Sequence, residues 1–142
     1  MFTVSTDCKA QEIFELEKEC FPGECWSLSL IEKDMSYSSY FVAKHQNEVV
    51  GYICVSYVLD EAELTRIAVK KTYRRCGIAT LLVEFSKEFL LQKGCKTFIL
   101  EVRSSNLPAQ ALYRTMGFDT YAVRKNYYHS PDEDAVLMSA EL

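Results

Sequence analysis

A basic turn, residues 70–80, is the segment of this sequence best suited to binding an anion. It places Arg74 and Arg75 beside the small residues Gly77 and Ala79, in a chain whose formal net charge is −4. The apolar spacing that follows predicts a helix, whose first N–H groups would have no carbonyl partner. Free N–H groups and the positive end of the helix dipole attract anions, and small residues let a diphosphate approach the backbone. The turn is therefore predicted to bind a diphosphate, with a basic, solvated helix start as the alternative.

The glycine spacing of this turn differs from that of the common nucleotide sites. A nucleotide P-loop needs G-x-x-x-x-G-K followed by Ser or Thr, and a dinucleotide-binding loop needs three glycines at fixed spacing. Gly77 lies in neither pattern. The turn is thus predicted to be neither a P-loop nor a dinucleotide-binding loop.

The helices that would position this turn follow from apolar periodicity. A first helix carries Ile13 and Leu16, starts from a cap at Thr6 or Asp7, and stops before Pro22. Ser27 is placed to cap a second, short helix that ends near residue 37. A strongly amphipathic helix begins at residue 78 and stops before residue 94, and a last helix is predicted at 108–116.

The strands follow from runs of β-branched and aromatic residues. Polar residues 45–48 separate two such runs and predict a hairpin. The strands before and after the long helix predict one parallel βαβ crossover, so the fold class is α/β, a mixed sheet with helices on its faces. The predicted strands are 3–6, 40–43, 49–55, 62–70, 97–103, 118–124 and 135–140.

The composition is that of an ordinary globular chain. Its 142 residues are 49% hydrophobic and 25% charged, which fits a single domain over residues 1–142. With 16 Lys and Arg against 20 Asp and Glu, a nucleic-acid coat is disfavoured because it needs a broad basic surface, whereas a cationic substrate remains compatible. No signal peptide or long apolar run is visible, so neither export nor membrane spanning is expected.

The six cysteines are expected to be reduced. A chain of this size does not need disulfides, and several cysteines lie in apolar periodic segments. A cytoplasmic location is the simpler interpretation. No C-x-x-C pair exists and both histidines are distant from every cysteine in the sequence, so no metal site is expected.

The pattern Arg74-x-x-Gly77-x-Ala79 resembles the R/Q-x-x-G-x-G/A acetyl-CoA signature of the GNAT superfamily of N-acetyltransferases. The likeness extends from Phe21 to Met138, and its motifs occur in the family's order. It implies the GNAT fold, a central, mostly antiparallel mixed sheet flanked by about four helices. Further stretches that resemble the RimI branch of this superfamily are 100–106, 111–118, 124–128 and 133–135.

The resemblance implies an N-terminal protein acetyltransferase. It would transfer acetyl from acetyl-CoA to the N-terminal alanine of a small-subunit ribosomal protein, by direct attack in a ternary complex. The expected partner is thus the N-terminus of a basic ribosomal protein, with no direct nucleic-acid or membrane partner and a monomer or weak dimer as the oligomeric state. Alternatives are a GNAT enzyme acting on an internal lysine or small amine, and a non-catalytic acyl-CoA-binding module.

The resemblance also assigns residues to the acetyl donor. Backbone amides at the end of the strand before the basic turn would hold the pantetheine arm and the acetyl carbonyl. The turn itself would hold the diphosphate, and Asn106 would contact the donor. The implied set is Ile67, Ala68, Val69, Arg74, Arg75, Cys76, Gly77, Ile78, Ala79, Thr80 and Asn106.

Glu101 is implied as the general base. It lies in an apolar run, where desolvation is expected to raise its pKa towards a useful range. An α-amino group has a pKa of about 7.7–8.0, so an N-terminus needs little help from a base. The alternative for Glu101 is a strand-end residue paired with Arg103 or another cation.

Tyr113 is implied as the general acid that protonates the departing thiolate. Tyr113 and Asn106 are separated by about two helical turns, so both are expected on one side of the same helix. The alternative for Tyr113 is core filling with its hydroxyl at the surface.

Two further groups are candidates for binding the substrate. Acidic residues after residue 59 could attract a cationic peptide, and Glu63 there is a reserve base; a solvated turn is the alternative. Aromatic residues could line a wall around the peptide, or those near residue 22 could only join the first two helices. The candidates are Phe21, Trp26, Glu61, Glu63, Tyr127 and Tyr128.

Two cysteines depart from the family pattern. Cys25 stands where the family commonly has proline before the tryptophan, which leaves the substrate less certain. Cys76 lies in the basic turn, where the helix start and two arginines would lower a thiol pKa. Oxidation of Cys76 could hinder donor binding, but an inert spacer is the favoured interpretation.

Overall fold

The computed structural model describes residues 1–142 and contains four α-helices, which confirms the predicted number. A short 3₁₀ helix, Lys71–Tyr73, lies in the basic turn. No helix combines the length and the apolar character needed to cross a lipid bilayer. The α-helices are α1 (Ala10–Cys20), α2 (Leu28–Asp34), α3 (Ile78–Gln92) and α4 (Leu107–Thr115).

Seven strands form one mixed sheet in the order β1-β2-β3-β4-β5-β7-β6. The β4 and β5 strands are parallel, which confirms the predicted crossover through α3. The pairs β1–β2, β2–β3, β5–β7 and β6–β7 are antiparallel. The strands are β1 (Thr3–Ser5), β2 (Ser39–His45), β3 (Glu48–Val58), β4 (Glu61–Val69), β5 (Thr97–Arg103), β6 (Asp119–Tyr128) and β7 (Glu133–Glu141).

The chain divides into two compact units. The first comprises Met1–Ser56 and Thr65–Phe89, and the second comprises Tyr57–Leu64 and Leu90–Leu142. The single domain expected over residues 1–142 stays a prediction.

The first unit has a core between the sheet and helices α1 and α2. Ile13 of α1 and Ile31 of α2 are fully buried with Tyr52 of β3. Gly51 of β3 lets β4 and the start of α3 come close, because a Cβ there would lie 3.1 Å from the Ala68 carbonyl oxygen and 3.1 Å from the Ile78 side chain. This glycine therefore lets the start of α3 pack directly on the sheet.

The second unit is built on β5, β6, β7 and α4. Phe98 of β5 is buried against Phe118, with ring centroids 5.5 Å apart. The ring of Tyr113 in α4 packs edge-on against Phe118 at 5.8 Å. Leu100 and Met138 complete this apolar layer, which fixes α4 on the sheet.

The predicted cap of α1 is wrong. The helix begins after Lys9, whose N–H donates to the Glu12 side chain at 2.9 Å. Residues 6 and 7 belong instead to a turn in which the Asp7 N–H donates to Ser5 Oγ. Ser27 does cap α2, since its Oγ accepts from the Leu30 N–H at 3.1 Å.

The predicted end of β6 is also wrong, because a bulge lets the strand continue to Tyr128. Asn126 adopts a positive φ of 51°. Its N–H donates to Asp134 Oδ1 at 2.9 Å, so a side chain replaces a strand-to-strand bond. The bulge places Tyr127 and Tyr128 on a strand rather than in a loop.

Candidate active site

The basic turn has the geometry of an anion site. Arg75 and Gly77 adopt positive φ values of 62° and 80°. The Leu81 N–H donates the first bond of α3, to the Gly77 carbonyl at 3.0 Å. The N–H groups of residues 78–80 therefore have no carbonyl acceptor within the helix. A Cβ on Gly77 would meet no atom within 4 Å, so the space in front of this backbone is open.

The side chains of this turn divide into two roles. Ile78 is buried and anchors the start of α3, so only its backbone faces the turn. Arg74, Arg75, Cys76 and Thr80 are exposed. The open backbone and the exposed guanidinium groups fit a diphosphate.

The end of β4 leads directly into this turn. The Val69 carbonyl accepts a hydrogen bond from Arg74 Nε at 3.1 Å and faces Cys20 Sγ at 3.4 Å. The side chain of Arg74 is thus held against the strand by its Nε. Ala68 is buried and Ile67 is half-buried. Their side chains are apolar, so only their backbone groups could bind a polar ligand.

Glu101 is not the isolated carboxylate that its apolar neighbours in sequence suggest. Its side chain is 28% exposed, and its Oε1 lies 3.4 Å from a terminal nitrogen of Arg124. The strand-end ion pair considered as the alternative is therefore present, although with Arg124 and not with Arg103. Arg103 pairs with Glu133 at 3.3 Å.

Glu63 is a carboxyl group of the candidate site whose pKa is raised, although the residue is exposed. In the parallel β4–β5 pair, Glu63 lies opposite Ile99, two residues before Glu101. Partial desolvation raises the pKa of Glu63, and the charges of Glu101 and Glu61 raise it further, while Arg124 lowers it. The carboxylates of Glu63 and Glu101 thus lie close enough for their charges to interact.

Asn106 and Tyr113 are arranged differently from the prediction. Asn106 precedes α4 and caps it, with Oδ1 accepting from the Ala109 N–H at 3.2 Å. Asn106 therefore lies at the cap of α4 and not within the helix that carries Tyr113. Tyr113 is only 7% exposed, and burial raises the pKa of its hydroxyl to about 12. No buried side-chain oxygen lacks a partner and the Tyr113 hydroxyl makes no bond, so this hydroxyl reaches solvent.

The aromatic candidates form two separate groups. Phe21 and Trp26 both pack on Arg66, which lies 3.8 Å from the first ring and 5.0 Å from the second. Tyr127 and Tyr128 pack edge-on with centroids 5.1 Å apart. Arg124 covers Tyr127, and Arg103 covers Tyr128. A single aromatic wall stays a prediction, and so does the role of the exposed Glu61.

Sequence reasoning did not predict the contacts between these arginines and the rings. Arg66 interrupts the apolar alternation of β4 before Ala68, so a charge at a core-facing position was the available signal. Arg124 and Arg103 had no comparable signal, because their partners lie 23 and 30 residues away along the chain.

A family model described as Acetyltransferase (GNAT) family matches residues 10–118. The match covers well over half of the chain and includes the basic turn, Glu101 and Tyr113. The chain belongs to the GNAT acetyltransferase family. This confirms the family and the fold that the motifs predict.

Relatives of this GNAT chain include the ribosomal protein bS18-alanine N-acetyltransferase of Haemophilus influenzae. It is 35% identical over 140 residues, which cover 95% of this chain and 94% of the relative. The crystal structure of the ribosomal-protein-S18-alanine N-acetyltransferase from Escherichia coli superposes with a TM-score of 0.91 at 31% identity, covering 99% of this chain and 94% of that one.

Acetyl-CoA is the donor used by GNAT acetyltransferases. A family member from Elizabethkingia anophelis, crystallised with acetyl-CoA bound, has the same fold, with a TM-score of 0.84 at 22% identity and coverage of 99% and 98%. The open turn at Gly77, with its free N–H groups, fits the diphosphate of this donor.

Proposed function

We propose that this GNAT enzyme acetylates the N-terminal alanine of ribosomal protein bS18 in the cytoplasm. The observation that carries the proposal is the likeness to bS18-alanine N-acetyltransferases over nearly the whole chain. The carboxylates of Glu63 and Glu101 also suit a cationic substrate, since bS18 is expected to present a positively charged amino terminus. A monomer or weak dimer that contacts no nucleic acid directly is part of the same proposal.

The acetyl donor would be held by the strand end and the basic turn. Backbone N–H groups of residues 67–69 orient the pantetheine arm and polarise the acetyl carbonyl. The N–H groups at the start of α3, together with Arg74 and Arg75, hold the diphosphate. When bound, acetyl-CoA supplies an acetyl group activated as a thioester. Asn106 would contact the donor through the side-chain N–H₂ that its capping oxygen leaves free.

Glu101 would accept the proton of the substrate amine through a water. The amine is an α-amino group with a pKa of about 7.7–8.0, so a modest base suffices near neutral pH. Glu63 is the reserve base, and its raised pKa brings it nearer to the range in which a carboxylate exchanges protons efficiently.

Tyr113 would protonate the leaving thiolate. Its pKa of about 12 keeps the hydroxyl protonated at neutral pH. Its hydroxyl has no acceptor within the chain, so its proton is available to a substrate atom. A thiolate with a pKa near 8.5 is the weaker base, so the transfer is uphill; it would be completed when the Tyr113 phenolate takes a proton from solvent.

The peptide would be bound by the aromatic residues Phe21, Trp26, Tyr127 and Tyr128 and by the carboxylates of Glu61 and Glu63. Aromatic rings offer large apolar contact at small entropic cost, and carboxylates attract a basic peptide.

The test uses purified protein, acetyl-CoA and a synthetic peptide of the mature bS18 N-terminus that begins with alanine. Mass spectrometry should show one added acetyl group on this peptide and none on the same peptide with a blocked N-terminus. Acetylation of the blocked peptide would contradict the proposal and favour an enzyme that modifies internal lysines. Binding of CoA without transfer to either peptide would favour an acyl-CoA-binding module.

A further inference from the structure

Arg66 is a charged residue on the apolar face of β4. Its neighbour on that face, Ala68, belongs to the buried cluster with Tyr52 of β3 and Leu16 of α1. The side chain of Arg66 is only 19% exposed. Placing a guanidinium on such a face is unfavourable unless its N–H groups are satisfied.

The partner of Arg66 is the fully buried carboxylate of Glu17 in α1. Arg66 Nε lies 3.0 Å from Glu17 Oε2, and a terminal nitrogen lies 2.9 Å from Oε1, which gives a two-bonded pair. The Tyr52 hydroxyl donates to Oε2 at 2.5 Å, and the Trp26 N–H donates to Oε1 at 2.9 Å. Every carboxylate oxygen is therefore used, and one of these bonds already comes from the loop after α1.

The same guanidinium holds the rest of that loop, residues 21–26. A terminal nitrogen of Arg66 donates to the Glu24 carbonyl at 3.0 Å. The Arg66 guanidinium carbon lies 3.8 Å from the centre of the Phe21 ring and 5.0 Å from that of Trp26. The ion pair of Arg66 and Glu17 thus bonds to a backbone carbonyl and a backbone N–H of the loop, and Arg66 packs against both of its rings.

We propose that Arg66 is a positioning residue that fixes loop 21–26 in the conformation that receives the first residues of the peptide. The inference rests on the proposed function, because it assigns the peptide to the two rings. A protein in which apolar residues replace a buried ion pair is often as stable as the original or more stable. We therefore assign the pair to orientation and not to stability. The planar guanidinium of arginine forms two bonds at once and fixes the orientation of the groups it contacts, which lysine cannot do.

The principal test is Arg66→Lys, with the exposed Arg114→Lys as the matched control. Arg66→Lys should raise the KM for the bS18 peptide on the order of tenfold, with kcat within about twofold, because binding contacts and not transition-state contacts are lost. The affinity for CoA should also stay within about twofold, since the basic turn is unaltered. Arg114→Lys should change none of the three.

A second readout does not depend on turnover. The chain contains a single tryptophan, so Trp26 fluorescence reports on loop 21–26 alone. Acrylamide should quench Trp26 more efficiently in Arg66→Lys than in the wild type, with an unchanged far-UV circular dichroism spectrum. If Arg66→Lys fails to fold, Glu17→Gln/Arg66→Met replaces the charged pair by a neutral one and keeps an acceptor for the Trp26 N–H; it should show the same changes.

The outcomes separate the two proposals. An active wild type with an unchanged peptide KM in a folded Arg66 variant overturns the positioning role and leaves the proposed function intact. A wild type that does not acetylate the peptide overturns the proposed function. In that event, unchanged Trp26 quenching in the folded variant overturns the positioning role independently.

Discussion

Arg124 donates a hydrogen bond to Glu101 across 3.4 Å, from β6 to β5 with β7 lying between these two strands. The guanidinium of Arg124 also lies 4.8 Å from the centre of the Tyr127 ring. One side chain thus contacts both the candidate base and a candidate peptide-binding ring. The charge on the substrate amine and the charge on Arg124 would compete for the same carboxylate.

Replacing Arg124 should move the acid limb of the pH profile to higher pH. Arg124 lowers the pKa of Glu63, which burial and nearby carboxylates raise. Without the guanidinium this carboxyl stays protonated, and therefore inactive as an acceptor, up to a higher pH. For Arg124→Gln the acid limb of kcat/KM should therefore move to higher pH, which rates measured from pH 5 to 9 would show.

The control for this variant is Lys125→Gln. Lys125 lies in the same strand, and its ammonium pairs with Asp134 at 3.2 Å instead of with the carboxylates of the site. Lys125→Gln removes the same charge as Arg124→Gln and should leave the pH profile of kcat/KM unchanged. An equal displacement in both variants would show that net charge, and not the contact with the site, sets the profile.

Glu101→Gln should reduce turnover most at low pH. Loss of a general base costs about 10²–10⁴-fold. The cost should shrink above pH 8, because the α-amino group, with a pKa of about 7.7–8.0, then loses its proton unaided. Rates from pH 6 to 9 with the bS18 peptide measure this dependence, and Glu141→Gln is the control at an exposed carboxylate. A larger loss in Glu63→Gln than in Glu101→Gln would transfer the role of base to Glu63.

Tyr113→Phe should lower kcat without altering stability. The ring is retained against Phe118, and the lost hydroxyl makes no hydrogen bond within the chain. The expected reduction is about 10²-fold, typical of a missing proton donor. Thermal unfolding and CoA affinity should match the wild type, as should those of the surface variant Tyr121→Phe. Full activity in Tyr113→Phe would remove the general-acid assignment.

Gly77→Ala and Gly77→Asn should separate backbone strain from steric blockage. Gly77 has a φ of 80°, and a Cβ there would lie in open space. Alanine therefore makes no clash in the free protein, and only the left-handed conformation should lower the free energy of unfolding, by about 1–2 kcal/mol. Asparagine tolerates that conformation better and should cost less. Both side chains would project where the diphosphate approaches, so both should weaken CoA binding. Calorimetry of unfolding and of CoA binding measures the two effects, and unchanged CoA affinity in both would place the diphosphate elsewhere.

The sequence was most informative where the signal is local. Strand β5 was predicted at the residues where it occurs, Thr97–Arg103, because they form a short run rich in apolar and β-branched side chains. The start of α3 was predicted from apolar spacing alone. The cap of α1 was missed because Lys9 is an unusual capping residue and the bond depends on Glu12. The extension of β6 was missed because Asp134 substitutes for a strand-to-strand bond.

The candidate site shows the same limit. The basic turn was found because its charges, glycine and helix start lie within one short segment. The pairing of Glu101 with Arg124 could not be found, because it depends on the order of three strands. The role of Arg66 depends on Glu17, 49 residues earlier in the chain. Periodicity locates the strand that carries Arg66 but contains no information on its distant partner.

Gly51 makes the donor site dependent on a residue that would never touch the donor. With a methyl group at this position, the Ile78 side chain and the Ala68 carbonyl, each 3.1 Å away, would have to move by a few tenths of an ångström. Ile78 contributes the first N–H group of α3, so the amides that we propose to hold the diphosphate would be displaced together with it. Natural variation in donor affinity among similar chains can therefore originate in the interior of the sheet, at a site that a survey of ligand contacts would overlook.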